Sequence, residues 1–190
     1  MSRIGIPLLL IAASVPALPA LAGAPEADVL ALMKKADDGG QLGTARKSKP
    51  VDARPAKPGE VVVTIIKGQG KETESAPAEE GDWVVRNRCP ETGNEEILVK
   101  AKKFQERYDG PTGPAGTAGW QPFTPRGLPM RYLILPGEAG EISFIAPWGE
   151  PMIAKPGDAI VQDPNDPKDT YRIAAAAFSC TYDIIDPAKP

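Results

Sequence analysis

The chain has 190 residues and a formal net charge of −3, and it contains two cysteines and no histidine. Without histidine, a Ser-His-Asp or Cys-His catalytic arrangement is excluded, as is an imidazole ligand for zinc, copper or haem. The acidic balance argues against nucleic-acid binding by the folded body. The 22 prolines and 19 glycines indicate a globular protein with long loops.

Residues 1–22 have the composition of a secretory signal peptide. A short basic start that includes Arg3 precedes an apolar run, and Ala20-Leu21-Ala22 fits a small-x-small cleavage site. A transmembrane anchor is the alternative, although prolines interrupt the run and it is short for a span of about 20 residues. The expectation is a periplasmic or secreted protein that does not span the membrane after cleavage behind Ala22.

Two contrasting segments follow the cleavage site. Residues 23–43 are predicted to hold a short amphipathic helix, because the apolar residues between Val29 and Met33 share one helical face. Residues 44–59 are basic and rich in proline, which predicts an extended linker. The alternative role for this linker is a tether to an anionic surface, such as lipid headgroups or an acidic partner.

A stretch that opens with Gly-Asp and closes with Phe-x-x-x-Tyr occurs twice, beginning at Gly81 and at Gly157. Duplication of this kind predicts two related structural units. We place unit 1 at residues 60–109 and unit 2 at residues 131–186. A Pro/Gly-rich linker, residues 110–130, joins them, and residues 187–190 form a tail.

Each unit is predicted to contain a strand, a polar loop, a hairpin and a short helix. The hairpins pair residues 83–85 with 96–99 and residues 159–161 with 171–173, and each is followed by a short helix that carries Phe and Tyr on one face. The predicted fold class is α+β, with two repeated β-hairpin-plus-short-helix units packed as one pseudo-symmetric, mainly β domain. Two independent units on a string are the alternative.

The second copy resembles a known group of domains. Lys155-Pro156-Gly157-Asp158, followed by Tyr171-Arg172-Ile173, Phe178 and Thr181-Tyr182, is similar to the small bacterial and phage domains with a PGDY signature. In those domains a hairpin ends in a Tyr-containing strand that leads into a helical turn. Ala159 stands where they carry Tyr, and Trp83 holds that position in the first copy. The resemblance implies a fold and no reaction.

The aspartates of the repeated motif, Asp82 and Asp158, are the first candidate functional residues. A turn role is favoured, in which the carboxylate accepts hydrogen bonds from nearby backbone N–H groups. Two aspartates facing one shared site are the alternative. The Phe and Tyr residues are predicted core anchors, with Tyr108 and Tyr182 as candidate ligand contacts.

Aromatic residues in loops provide the other candidate contacts. Trp120 and Phe123 lie in the 110–130 linker, and Trp148 lies between Pro147 and Gly149. Large aromatic side chains in such loops are typical of binding surfaces. We predict no catalytic residue, no cofactor and no metal site, and the acidic segment 163–169 is interpreted as a solvated turn rather than a calcium loop.

Cys89 and Cys180 are predicted to form a disulfide, since two cysteines in an exported protein usually pair. Two free thiols are the alternative.

The predicted function is that of an exported, non-enzymatic protein that binds a partner protein or a cell-envelope component. One alternative is an enzyme that uses carboxylates or tyrosine on an envelope polysaccharide. Another is a phage-like structural or accessory module.

Overall fold

A computed structural model describes residues 24–189 as a mainly β protein with several sheets, in which 41% of the residues are in strands and 18% in helices. The signal peptide expected at residues 1–22 lies outside the described residues. The prediction of an α+β fold made of two repeated hairpin-plus-helix units is wrong. Only three α-helices occur in the described residues, and the sheets contain strands that the predicted units do not supply.

Fourteen strands occur between residues 24 and 189. In chain order they are β1 (Gly43–Lys47), β2 (Val51–Pro55), β3 (Val63–Ile66), β4 (Gly70–Glu74), β5 (Trp83–Asn87), β6 (Glu96–Val99), β7 (Tyr108–Asp109), β8 (Gln121–Pro125), β9 (Pro129–Ile134), β10 (Ile142–Ile145), β11 (Pro151–Ala154), β12 (Ala159–Asp163), β13 (Asp166–Ile173) and β14 (Tyr182–Asp186). The α-helices are α1 (Val29–Asp38), α2 (Ala101–Arg107) and α3 (Ala175–Thr181).

Two five-stranded antiparallel sheets form the body of the protein. The first sheet has the order β13-β12-β9-β1-β14, and the second has the order β6-β5-β2-β8-β7. The predicted hairpins are present as β5–β6 and β12–β13. The short helices α2 and α3 follow these hairpins, and each leads directly into an edge strand of its sheet, β7 or β14.

The two sheets exchange strands. The consecutive strands β1 and β2 lie in different sheets, and so do the consecutive strands β8 and β9. In the first sheet β1 pairs with β9, and in the second sheet β2 pairs with β8. This exchange is incompatible with two independently folded units joined by a flexible segment.

The prediction of two linkers is wrong, because the segments concerned contain these four strands. Residues 44–59 hold most of β1 and all of β2, and residues 110–130 hold β8 and the start of β9. Ala45, Val51 and Ala53 are fully buried, whereas Arg46 is exposed and Asp52 is half-buried. A strand whose buried positions are mainly alanine carries a weak hydrophobic signal, so composition alone makes it resemble a linker.

Two separate hairpins, β3–β4 and β10–β11, lie beside the sheets. Along β3 the side chains alternate, with Thr64 and Ile66 buried and Val63 and Ile65 exposed. The two hairpins meet at the tip of β10–β11, where the indole N–H of Trp148 donates to the hydroxyl of Thr73 at 3.4 Å.

The predicted N-terminal helix is present as α1. Asp28 caps it by accepting a hydrogen bond from the backbone N–H of Ala31 at 3.0 Å. Val29, Met33 and Ala36 are buried on one face of α1 and pack against residues of the first sheet and of the β10–β11 hairpin. No helix within residues 24–189 is long and apolar enough to cross a membrane.

The predicted disulfide between Cys89 and Cys180 is confirmed, with 6.1 Å between the two Cα atoms. Cys89 lies in the turn between β5 and β6 of the second sheet, and Cys180 lies in α3, which leads into β14 of the first. The bond therefore ties the two sheets together. Disulfides of this kind are typical of oxidising compartments.

Candidate functional site

Asp82 anchors the start of α2. Its carboxylate accepts hydrogen bonds from the backbone N–H groups of Glu79, at 2.8 Å, and Ala101, at 3.0 Å, and from Lys100 Nζ at 2.8 Å. The preceding Gly81 has φ +89°, a conformation that favours glycine. Although burial opposes ionisation, these hydrogen bonds hold the pKa of Asp82 below its ordinary value.

Asp158 makes the corresponding contacts at α3. It accepts hydrogen bonds from the backbone N–H groups of Lys155, at 2.8 Å, and Ala175, at 2.9 Å, and from Arg172 Nε at 2.7 Å. Asp82 and Asp158 are each at most 3% exposed. Both carboxylates serve local structure, and neither lines the cavity described next.

A cavity of about 680 Å³ lies between the two sheets and the two hairpins, and we call it the central cavity. Its size is within the range of ligand-binding cavities in proteins. Residues of both sheets, both hairpins and α2 contribute to its wall. They include Lys47 on β1, Asn87 on β5, Arg107 on α2 and Tyr171 on β13.

Three of the aromatic residues singled out in the sequence meet at the central cavity: Tyr108, Trp148 and Tyr182. Tyr108 follows α2 and Tyr182 follows α3. Trp148 comes from the tip of the β10–β11 hairpin, and its ring centroid is 6.2 Å from that of Tyr171. Three tyrosines and one tryptophan thus contribute to the wall of this cavity.

The other two aromatic candidates lie elsewhere. Phe123 is 4% exposed and packs in the core of the second sheet, with its ring centroid 5.0 Å from that of Phe104. The ring of Trp120 lies under two guanidinium groups. Its centroid is 3.9 Å from Cζ of Arg86 and 5.1 Å from Cζ of Arg54. Neither residue lines the central cavity, so they form no common surface with Trp148.

Arg107 is surrounded by hydroxyl and carboxylate groups. Its Nη2 donates to Asp169 at 2.6 Å, and its Nη1 lies 3.4 Å from the hydroxyl oxygen of Tyr171. Tyr171 and Asp169 raise the pKa of Arg107 in spite of its burial. Asp169 also accepts a hydrogen bond from Lys103 Nζ at 2.9 Å, so one carboxylate serves two cations.

The acidic turn at 163–169 faces these cations. Asp163 and Asp166 each lie 3.8 Å from Lys103 Nζ, and Asp169 is closer. The cationic side chains of Lys103 and Arg107 thus lie beside these carboxylates. A second candidate group for a cation is formed by Glu91 with the two cysteines, but their sulfur atoms are joined in the disulfide and are unavailable as thiolates.

Lys47 belongs to a chain of polar contacts at the cavity wall. Its Nζ donates to Asn87 Oδ1 at 2.6 Å, and Asn87 Nδ2 donates to Glu95 Oε1 at 2.7 Å. Glu95 is 5% exposed and also accepts a hydrogen bond from the hydroxyl of Thr92. The network fixes the position of Lys47 at the cavity.

A second buried network is centred on Arg172, which is 5% exposed. Its Nε donates to Asp158 Oδ2 at 2.7 Å, its Nη1 to Glu72 Oε1 at 2.6 Å and its Nη2 to Gln69 Oε1 at 2.9 Å. Burial raises the pKa of Glu72 to about 7; Arg172 opposes this shift, and the neighbouring Glu95 reinforces it. Glu72 and Arg172 also border a smaller cavity of about 400 Å³, so the pair forms part of the wall between the two cavities.

The raised pKa of Glu72 predicts an unusual dependence of stability on pH. Between its ordinary value of 4.5 and about 7, the folded protein holds a proton on Glu72 that the unfolded chain has lost. The free energy of unfolding is therefore expected to decrease as the pH rises through this window, by up to about 3 kcal/mol. Urea unfolding in steps across the window measures this slope.

The control is Glu72→Gln, which should flatten the dependence. Because the chain has no histidine, no imidazole contributes in the same window. A stability that increases with pH between 4.5 and about 7, or an identical slope in the Gln variant, would contradict the assignment.

Several site residues were missed in the sequence, namely Lys47, Glu72, Glu95, Arg107, Tyr171 and Arg172. Each lies in a hydrophilic stretch or a short strand, where charged side chains are usually solvated. They share no motif in the sequence: Lys47 lies in the segment predicted to be a linker, whereas Tyr171 and Arg172 lie in a predicted hairpin. Comparison of the chain with models of known protein families, with curated proteins and with solved structures finds no match.

Proposed function

We propose that this is an exported, non-enzymatic binding protein whose central cavity takes a small molecule with an apolar or aromatic body. The observation that carries the proposal is the cavity of about 680 Å³ with its tyrosines and Trp148. A concave pocket with apolar and aromatic side chains and placed polar groups is the usual form of a small-molecule site. The signal-peptide composition of residues 1–22 and the disulfide support a periplasmic or secreted location.

A small ligand is favoured over a partner protein because the aromatic residues proposed for a docking surface are dispersed. Phe123 is in the core, Trp120 is covered by Arg54 and Arg86, and Trp148 faces the cavity. A component of the cell envelope with a compact apolar body fits this arrangement.

A binding role is favoured over an enzymatic one because the cavity carboxylates are committed to protein partners. Asp169 serves Lys103 and Arg107, Glu72 bonds to Arg172, and Glu95 accepts from Asn87. The enzyme considered from the sequence, with Asp82 and Asp158 at a shared site, has no support from these positions.

Binding of the neutral fluorescent probe N-phenyl-1-naphthylamine tests the proposal. We expect the disulfide-bonded protein to bind this probe, and Ile173→Trp to weaken binding about tenfold or more, because Ile173 is half-buried at the cavity wall and the larger side chain occupies ligand space. Fluorescence titration measures the dissociation constants.

The matched control is Ile184→Trp, since Ile184 is 50% exposed on β14 and does not line the cavity. It should bind the probe like the unmodified protein. The proposal is wrong if the probe does not bind, or if a folded Ile173→Trp variant binds it as tightly as the control.

A further inference from the structure

Lys47 is held between two tyrosines of the central cavity. Its Cα is paired with that of Tyr182 across β1 and β14, so the two side chains lie on the same face of the sheet. Its Nζ also lies 5.8 Å from the centroid of the Tyr108 ring. The ammonium group therefore sits where the two sheets come together at the cavity wall.

The charge of Lys47 has no direct counter-ion in the described part of the chain. Within residues 24–189, no carboxylate oxygen lies within 4.0 Å of Lys47 Nζ, and its hydrogen-bond partner is the neutral amide of Asn87. An ammonium group has three N–H donors, which leaves two for another partner. Lys47 is half-buried, and a charge partly removed from water gains from an ionic partner, so an anionic oxygen at this point would be favoured.

Arg107 offers further donors beside the same tyrosines. Tyr108, Tyr171 and Tyr182 all lie near its guanidinium group and influence its pKa. Its Nη2 is engaged with Asp169, but the contact of Nη1 with Tyr171 is 3.4 Å, longer than an ordinary N–H···O hydrogen bond. Nη1 is thus only weakly satisfied within the protein.

The tyrosines at this end are hydrogen-bond donors too. Burial raises the pKa of Tyr182 well above its ordinary value, and the neighbouring Tyr171 acts in the same direction. Tyr182 therefore keeps its proton at neutral pH. Together, Lys47, Arg107 and the phenolic hydroxyls form a set of donors, and charge-assisted hydrogen bonds to an anion are among the strongest that proteins make.

The remainder of the wall is mainly apolar. It includes Val62, Leu98, Met130, Trp148, Met152 and Ile173. Methionine and aromatic side chains adapt well to a ring or a short hydrocarbon chain. The cavity thus combines a donor-rich end with an apolar body.

We propose that the ligand is an amphipathic organic anion, whose acidic group is bound by Lys47 and Arg107 and whose apolar body lies against the methionine and tryptophan side chains. This inference rests on the proposed function, because it assumes that the central cavity binds a small molecule. It adds the class of ligand and the residues that recognise its charge.

Two matched fluorescent probes test the charge preference. 1-Anilinonaphthalene-8-sulfonate has the ring system of N-phenyl-1-naphthylamine with an added sulfonate. The unmodified protein is expected to bind the sulfonate probe about tenfold more tightly than the neutral one. Lys47→Met should weaken binding of the sulfonate probe by roughly tenfold or more and change binding of the neutral probe by no more than about twofold.

Lys102→Met is the matched control, because Lys102 on α2 is highly exposed and does not line the cavity. It should leave both dissociation constants unchanged, whereas Lys47→Arg should retain the preference for the sulfonate probe. The inference is overturned if the two probes bind the unmodified protein equally, or if Lys47→Met weakens both to the same extent.

A second measurement needs no variant. 4-Phenylbutyrate should displace the sulfonate probe at lower concentration than 4-phenylbutanol, and equal displacement would contradict the anion site. If N-phenyl-1-naphthylamine does not bind, the proposed function itself fails; if both probes bind without regard to charge, only the anion site fails.

Discussion

Removal of the Cys89–Cys180 disulfide is expected to lower the free energy of unfolding by about 4–5 kcal/mol. The two cysteines are 91 residues apart, so the bond closes a long loop and strongly restricts the unfolded chain. In the folded protein it also ties the β5–β6 turn of the second sheet to α3, which feeds the first sheet. Both sheets should therefore lose stability together.

Denaturant unfolding of the Cys89→Ala/Cys180→Ala double variant measures this effect. The reduced but unmodified protein is the control, since it keeps both side chains and separates loss of the cross-link from loss of packing at Cys89, which is fully buried. An unfolding midpoint that is the same in the oxidised, reduced and double-variant proteins would contradict a stabilising role for the bond.

Arg172→Met is expected to destabilise the protein by about 3–5 kcal/mol. The substitution leaves the carboxylate of Asp158 buried without its guanidinium partner and removes the ion pair with Glu72, whose side chain is 10% exposed. Removing one partner of a buried charge network is far more damaging than removing an exposed pair.

The matched control is Arg131→Met. Arg131 makes an exposed ion pair with Asp37 at 2.9 Å, so its loss should lower stability by less than about 1 kcal/mol. Adding Glu72→Gln to Arg172→Met should change the stability little at neutral pH, because without Arg172 the pKa of Glu72 rises further and its carboxyl group stays protonated. Equal effects of the two arginine substitutions in thermal or urea unfolding would show that the Arg172 network is not important for stability.

Local elements with strong patterns could be predicted from the sequence. The β5–β6 and β12–β13 hairpins and the helices that follow them depend on residues close together in the chain, such as Trp83 with Val99 and Phe178 with Tyr182. The disulfide could be predicted because there are two cysteines and one possible pairing. These features require no knowledge of distant contacts.

The sheets could not be predicted because their central strands have weak patterns and distant partners. The strand β1 buries Ala45 and exposes Arg46, and the strand β8 begins Gln121-Pro122 and ends in Pro125. Pairing with other strands makes these segments strands: β1 pairs with β9 and β14, and β8 pairs with β2 and β7. The fold class was wrong for this reason, since composition favours linkers at the positions where the sheets are joined.

The candidate site was predicted in part. Tyr108, Tyr182 and Trp148 reach the central cavity, whereas Phe123 serves the core and Trp120 stacks with arginine. The cavity itself arises from the arrangement of two sheets and two hairpins. Its charged groups acquire their roles from that arrangement, so neither a local motif nor composition reveals them.

The exchange of strands between the sheets has a consequence for the order of folding. In the first sheet β1 lies between β9 and β14, so an early segment of the chain finds its neighbours only after the last strand, which ends at Asp186, is available. Pairings so far apart in sequence are typically formed slowly. The second sheet lies within residues 51–125 and can form earlier, whereas the first sheet is completed only after the carboxyl-terminal strand has emerged.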